Sequence, residues 1–223
     1  MIELALFGNG LSPAGQAAPP PGEFLMPVLI ILLLVLLNGL FVAAEFAMIG
    51  VRDTEMEQLA DEGNRVAARV LGILESRPNL DNYLATAQLV VTLLTLGLGM
   101  YGVSVIGRLF LPILASLPWL GPVAAEIAAY IVAVVLLLYL YIVVGEMVPQ
   151  ALALGNPSGM VLALNRCMRQ MGRLFSLPVS FLNGAGRVLL RLFNISPAQG
   201  LERLMGAEEL ELIVAESADE GLI

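Results

Sequence analysis

Three long apolar runs constrain this chain more than any other feature of its sequence. They cover residues 24–50, 82–107 and 127–145. A helix rises about 1.5 Å per residue, so about 20 apolar residues cross the hydrocarbon core of a bilayer. Hydrophobic residues make up 58% of the chain and charged residues 13%, whereas soluble domains have about 45–50% and about 25%. The sequence therefore predicts an all-α membrane protein with three transmembrane helices.

The reactive side chains limit the kinds of reaction that this chain can carry out. The 223 residues include 11 basic residues, all of them Arg, no His and one Cys, and the net charge is -8. Without His, the commonest metal ligand and the commonest general base are missing, and Cys167 alone forms no disulfide within the chain. These counts exclude zinc hydrolysis, His-based catalysis and dithiol redox chemistry within this chain. No nucleophile–base pair is visible and no basic patch is dense, so we expect neither an enzyme nor a nucleic-acid partner.

The distribution of Arg predicts the orientation in the membrane. With three spans and the N-terminus outside, the inner segments are 51–81 and 146–223, and they hold ten of the eleven Arg. Positive charge favours the cytoplasmic side of a membrane. We therefore expect residues 1–23 outside, uncleaved, and the C-terminus in the cytoplasm.

Shorter stretches of the chain have amphipathic patterns. Residues 52–77 place apolar side chains at helical spacing with charges between them. Residues 174–186 are few, contain Pro178 and lie between Arg173 and Arg187, which favours an amphipathic hairpin at the interface over a fourth span. We expect a juxtamembrane belt of short amphipathic helices. The acidic tail predicts a soluble helix, and its pattern stops abruptly at Ile223, which suggests that the chain is part of a longer protein.

Two carboxylates lie near the inner ends of spans, where ionisable groups are functional hypotheses by default. Glu45 belongs to the first run, and Glu146 follows the third run and precedes Pro149. Because proline has no N–H, the Gly145 carbonyl loses its partner within the helix. A carbonyl beside a carboxylate suits a hard cation. The alternatives are a proline that ends the helix and a carboxylate whose head group reaches water.

The first two spans contain further polar side chains. Asn38 precedes Gly39 in the first span, and Gln88, Thr92 and Thr95 share one helical face in the second. These side chains either line an ion pathway or bond to neighbouring helices, and packing is the more frequent role.

Several short stretches carry a resemblance to a known family. They are residues 38–47 (NGLFVAAEFA), 58–64 (QLADEGN), 145–150 (GEMVPQ), 154–157 (LGNP) and 207–213 (AEELELI). Together they resemble the CorC / cyclin M (CNNM) transmembrane domain over residues 25–223, in the form of a branch labelled hemolysin-like. The resemblance implies a CNNM-type domain over 24–200 and, over 201–223, the start of a cytosolic connector to a CBS-domain pair that this chain lacks.

The resemblance also implies a function and a partner. Family members are linked to Mg²⁺ transport, commonly described as Na⁺-coupled export, and their CBS domains bind ATP. A homodimer is implied as well, and small residues such as Gly97, Gly99 and Gly102 would permit close helix contact. From the resemblance we therefore expect a transporter for Mg²⁺ or a related divalent cation in the lipid bilayer of the bacterial plasma membrane. The alternative is a membrane-anchored regulatory or scaffold protein without transport activity.

The family's ion-binding stretch matches Glu146 and the Gly145 carbonyl. The expected metal site comprises Glu146, Gly145, Thr92 and Thr95, and the expected pathway or packing residues are Asn38, Glu45, Gln88 and Pro149. Members that bind Mg²⁺ have Ser near the positions of Val42 and Ala44. They also have Asn in the second span, where this chain offers Val91 or the two threonines. The Mg²⁺ cage implied by the resemblance is therefore only partly present.

Overall fold

A computed structural model describes residues 24–192, which form helices and no strand. The predictions made for residues 1–23 and 201–223 lie outside this described part. The helices are α1 (Leu25–Gly50), α2 (Asp53–Asp61), α3 (Arg65–Leu74), α4 (Arg77–Ala115), α5 (Pro122–Leu140), a π-helical segment (Tyr141–Met147), α6 (Val148–Gly155), α7 (Pro157–Leu174) and α8 (Ser176–Leu192).

Three of these helices are long and apolar enough to cross a membrane, which confirms the predicted number of spans. They are Leu25–Gly50, Arg77–Ala115 and Pro122–Gly155, the last of which joins α5, the π-helical segment and α6. The second span extends beyond its apolar run at both ends. Pro78 suits the first turn of the helix, and at the other end the helix continues past Arg108 to Ala115. Hydropathy thus located the crossings but not the helix ends.

The segment 52–77, whose pattern predicts helical structure, forms two short helices before α4 begins. Gly63, between α2 and α3, has φ = +92°, a left-handed conformation that glycine adopts readily. The next residue, Asn64, caps the N-terminus of α3, and its side-chain oxygen accepts hydrogen bonds from the backbone N–H groups of Val66 (2.9 Å) and Ala67 (3.3 Å). Asn156 caps α7 in the same way, accepting from the Gly159 N–H at 3.0 Å. Two of the stretches that carry the family resemblance are therefore helix junctions.

Small residues bring α4 and α5 together. Four buried residues recur every four positions along α5: Ala125, Ala129, Ala133 and Leu137. On α4, a Cβ added at Gly102 would lie 2.9 Å from Leu137, and one at Gly107 would lie 3.3 Å from the Tyr130 ring. Close helix approach through small residues is the usual means of association in membranes, where apolar surface alone gives no preference for protein over lipid.

The second half of α1 lies at the centre of a buried cluster. Phe41, Ala44, Ala47 and Met48 pack there with residues of α2, α3, α4, α6 and α7. The helix continues past its buried part to Gly50, where an added Cβ would lie 3.2 Å from Leu154 and 3.3 Å from Pro157. The junction between α6 and α7 therefore packs directly on the end of the first span.

The chain divides into two compact units, and α8 begins the second at Ser176. It has 17 residues and a segregated apolar face, and it is not among the membrane-crossing helices of the described residues. This agrees with the expectation of short amphipathic helices in addition to three spans. The hairpin expected over residues 174–186 is wrong, because residues 176–186 belong to one continuous helix.

Candidate cation site at the third span

The third span changes its hydrogen-bonding pattern at the predicted site. Over Tyr141–Met147 the turn widens to the π form, and the Val148 N–H donates to the Val143 carbonyl five residues earlier. Pro149 supplies the physical reason, because it has no N–H to donate to the Gly145 carbonyl four residues before it. Of the two outcomes that the sequence left open, the helix does not end at this proline. It continues through α6 to Gly155.

The Gly145 carbonyl receives its hydrogen bond from another span. The Nδ2 group of Asn38 donates to this carbonyl at 3.0 Å, in a buried environment. Asn38 is 1% exposed, and Gly145 is buried as well. A buried carbonyl without a donor is costly, so the Asn38 amide compensates for the donor that Pro149 lacks.

Gly39 makes this contact sterically accessible. A Cβ at position 39 would lie 2.7 Å from Cγ of Pro149 and 3.4 Å from the Val144 carbonyl oxygen. Any side chain there would separate α1 from the π-helical segment and lengthen the Asn38–Gly145 hydrogen bond. The Asn-Gly pair thus supplies a donor and the space to bring that donor to its acceptor.

Thr95 connects the second span to the same junction. Its Oγ1 lies 2.8 Å from the Val91 carbonyl oxygen, 3.2 Å from the Tyr141 hydroxyl and 3.5 Å from Oδ1 of Asn38. One hydroxyl proton serves one of these acceptors at a time, and the Val91 carbonyl is the nearest. The Tyr141 hydroxyl is then placed to donate to Thr95. Asn38, Thr95, Tyr141 and Gly145, which we call the polar junction, therefore join all three spans.

The other residues predicted for the site lie around this junction rather than in it. Glu146 is exposed on the single chain, directly after buried Gly145, and Glu45 is half-buried. Thr92 and Gln88 are exposed, and the Thr92 hydroxyl donates within its own helix to the Gln88 carbonyl at 2.8 Å. The predicted α4 stripe is therefore divided, with Thr95 at the junction and the other two on the outer surface of the chain.

Sequence reasoning did not single out Tyr141. Because Tyr141 lies four residues before Gly145, the two residues share one face of the third span, and this spacing could have identified Tyr141. Asn38 was singled out, but its partner was not. In the part of the chain that the structure describes, no group of three or more His, Cys, Asp or Glu residues is arranged to hold a metal ion. The oxygen atoms that meet at the junction come from an amide, two hydroxyls and a backbone carbonyl.

A family model described as the cyclin M transmembrane N-terminal domain matches residues 29–223. The chain belongs to the cyclin M family. Curated relatives include the UPF0053 proteins YhdP and YhdT of Bacillus subtilis (strain 168). They are 30% and 32% identical over 196 residues, 88% of this chain and 43% and 42% of their own lengths. UPF0053 protein sll0260 of Synechocystis sp. is 31% identical over 193 residues, 86% of this chain and 42% of its own length.

The chain thus spans about two fifths of the length of these curated relatives. Family membership and the three apolar spans make this a membrane domain. Val42 and Ala44 lie near the positions where the resemblance leads us to expect serine. Both are apolar and buried, 4% and 0% exposed. The polar contribution of α1 to the junction comes instead from Asn38, one helical turn before Val42.

Proposed function

We propose that this chain is the membrane domain of a transporter for Mg²⁺ or a related divalent cation. The observation that carries the proposal is the π-helical break in the third span. A buried carbonyl there and a hydroxyl from the second span both contact Asn38, and a carboxylate follows the carbonyl directly in the chain. Broken helices whose carbonyls face an ion are a recurrent device of transporters. Family membership supports the same role, and we propose it without any catalytic activity in this chain.

The proposed ligands are oxygen atoms of Glu146, Gly145 and Thr95, with Thr92 and retained water molecules completing the set. Mg²⁺ requires octahedral oxygen ligation and keeps several of its waters, so a site with few protein ligands suits it. The Gly145 carbonyl has a second lone pair besides the one that accepts from Asn38. Asn38 thereby holds the carbonyl in place while leaving it able to bind a cation.

A second copy of the chain is part of the proposal. Glu146 is exposed on a membrane-spanning helix, and a carboxylate facing lipid is costly. Gly97 and Gly99 of α4 have open space around them within the chain, which leaves them available for close contact with another helix. We infer a homodimer that uses the α4 surface and shields the cation site from lipid.

The proposed orientation places the cation site toward the cytoplasm of a bacterial cell. Ten of eleven Arg fall in the segments that this orientation puts inside. In the longer relatives, the region after the matched part would carry the CBS-domain pair and bind ATP. Na⁺ as the coupling ion belongs to the same proposal and draws its support from the family resemblance.

The decisive experiment compares two carboxylates of similar depth. The wild type and its Glu146→Gln and Glu45→Gln variants are purified in mild detergent, and thermal unfolding is measured over a range of MgCl₂ concentrations. A ligand present at 100 times its Kd stabilises the folded state by about 2.7 kcal/mol. We expect the wild type and Glu45→Gln to gain about this amount, and Glu146→Gln to gain none. Mg²⁺ flux into proteoliposomes that contain an internal Mg²⁺ dye should follow the same order.

Each variant must first be shown to be folded by circular dichroism and size-exclusion chromatography. A folded Glu146→Gln protein that keeps its Mg²⁺-dependent stabilisation, while Glu45→Gln loses it, would move the site to the first span. If Mg²⁺ does not stabilise even the wild type and no flux is seen, the regulatory or scaffold alternative is the better description.

A further inference from the structure

The helix α8 exposes a large apolar surface. Seven large apolar side chains of this helix are exposed: Leu177, Phe181, Leu182, Val188, Leu189, Leu190 and Leu192. Leu177, Phe181 and Leu192 are 82%, 76% and 79% exposed. Such a contiguous apolar face indicates an interaction surface for lipid or protein. Among the described residues, α8 is not one of the helices that are long and apolar enough to cross the bilayer.

The opposite face of α8 is polar and positively charged. At 100° per residue, Ser180, Asn183 and Arg187 fall on one stripe, whereas Phe181, Leu189 and Leu192 lie about 120–160° away from Arg187. Arg187 is exposed, and α8 contains no Asp or Glu. A helix with one broad apolar face and a purely cationic polar face is typical of helices that lie in the membrane interface.

The charge of the surrounding sequence indicates which kind of partner the α8 surface binds. Residues 147–201 contain five Arg and no acidic residue, although the whole chain has a net charge of -8. Residues 51–81 contain four Arg, but seven acidic residues accompany them. The positive-inside rule counts Arg and is nearly indifferent to acidic residues, so it explains the arginines of both segments. It does not explain why one segment excludes acids.

Binding to negatively charged lipid explains that exclusion, because each Asp or Glu would repel the headgroups that the arginines attract. The sequence already predicts an interfacial position for this segment, with its apolar side among the acyl chains. We propose that α8 also binds the phosphates of anionic lipids through Arg187. This surface is independent of cation transport. A second copy of the chain, or the chain's own acidic tail after residue 201, would also cover an apolar face, and the experiment below separates these occupants.

The test uses the complete chain reconstituted in vesicles of phosphatidylcholine with 30 mol% phosphatidylglycerol. A fluorescent bimane is attached at Leu189→Cys in a Cys167→Ala background. Three quenchers are compared: aqueous iodide, nitroxide-labelled phosphatidylcholine and nitroxide-labelled phosphatidylglycerol at equal mole fraction. We expect the labelled lipids to quench and iodide to fail. The phosphatidylglycerol quencher should be about twofold more effective at low salt, and this preference should disappear at high salt because the charges are screened.

The variant pair Arg187→Glu and Arg108→Glu separates a local effect from a general change in charge. Arg187→Glu should make the two lipid quenchers equally effective, whereas Arg108→Glu, an exposed position on α4, should keep the preference. Arg187→Gln provides a milder variant if the charge reversal does not fold. Iodide access to the dye would overturn the proposal, as would protection from all three quenchers, which indicates coverage by protein. Equal quenching by both lipids in the wild type would overturn it too.

Discussion

The two halves of α1 are chemically and structurally different. In residues 25–37 most of the large apolar side chains are exposed, and Ile31 and Val35 are the buried ones. In residues 38–50 most positions are buried, and they are largely Asn, Gly, Ala and Phe rather than Leu and Ile. Both halves are apolar enough to belong to one span. The half that is packed by protein is the one with small and polar residues.

This difference shows what holds helices together in this protein. Leucine gains as much from lipid tails as from another helix, so the Leu-rich half has no preference for protein. The second half gains from close backbone approach and from the Asn38–Gly145 hydrogen bond. We therefore expect substitutions in the second half to affect folding strongly and matched substitutions elsewhere to affect it little.

The largest effect is expected from Gly39→Ala. The new Cβ would lie 2.7 Å from Cγ of Pro149, and the proline ring is tied to the backbone of the third span and yields little. Overpacking of this kind costs about 3 kcal/mol. The free energy of unfolding in mixed SDS micelles, followed by far-ultraviolet circular dichroism, measures this loss.

Gly72→Ala provides the matched control for this substitution. Gly72 is an exposed residue of α3, and an added Cβ would meet nothing within 4 Å. The same methyl group should stabilise α3 by up to about 1 kcal/mol, because alanine is the better helix former. A Gly39→Ala protein as stable as the wild type would show that α1 and the π-helical segment are less closely packed than described.

A smaller effect is expected from Asn38→Leu, which keeps the size of the side chain and removes its hydrogen bonds. The Gly145 carbonyl then loses its donor while it stays buried. A buried group without a partner costs about 1–3 kcal/mol, whereas interhelical hydrogen bonds in membranes average about 0.6 kcal/mol. We expect a loss of about 1.5 kcal/mol in the same unfolding assay.

Thr92→Val is the comparison for Asn38→Leu. The Thr92 hydroxyl bonds to its own helix and is exposed, so its removal should change the unfolding free energy by less than about 0.5 kcal/mol. Equal losses in the two variants would mean that the polar junction contributes no more than an ordinary surface hydroxyl.

Local features of the fold could be predicted from the sequence, and contacts between spans could not. Span number depends on the length and hydropathy of one segment, so the three runs were sufficient. The Asn38–Gly145 hydrogen bond joins residues 107 positions apart, and no local pattern specifies such a pairing. Pro149 predicted a carbonyl without its helical donor, but whether the helix ended or widened depended on the Asn38 donor from another span.

The second span illustrates the same limit on the candidate site. Thr92 and Thr95 are three residues apart, which separates them by about 60° around the helix. That angle is enough to place Thr95 at the polar junction and Thr92 on the exposed surface. Helical periodicity assigned both residues to one stripe. The position of α1 determines which of the two contacts the polar junction. The proposed roles of Thr92, Thr95 and Glu146 in cation binding stay predictions.

The smallest effect is expected from Tyr141→Phe, which tests whether the polar junction behaves as separate pairs or as a unit. The substitution removes the hydroxyl that lies 3.2 Å from Thr95 Oγ1. Thr95 keeps the Val91 carbonyl at 2.8 Å as an acceptor, so no polar group loses its last partner. The expected loss is about 0.6 kcal/mol, the average for an interhelical hydrogen bond in membranes. Tyr139→Phe, at a 67% exposed position of α5, should change nothing measurable.

If Tyr141→Phe instead costs as much as Asn38→Leu, and the double variant costs no more than either, the four groups are coupled. The tyrosine hydroxyl would then hold Thr95 and Asn38 in place, and the packed half of α1 would depend on a polar network that includes all three spans.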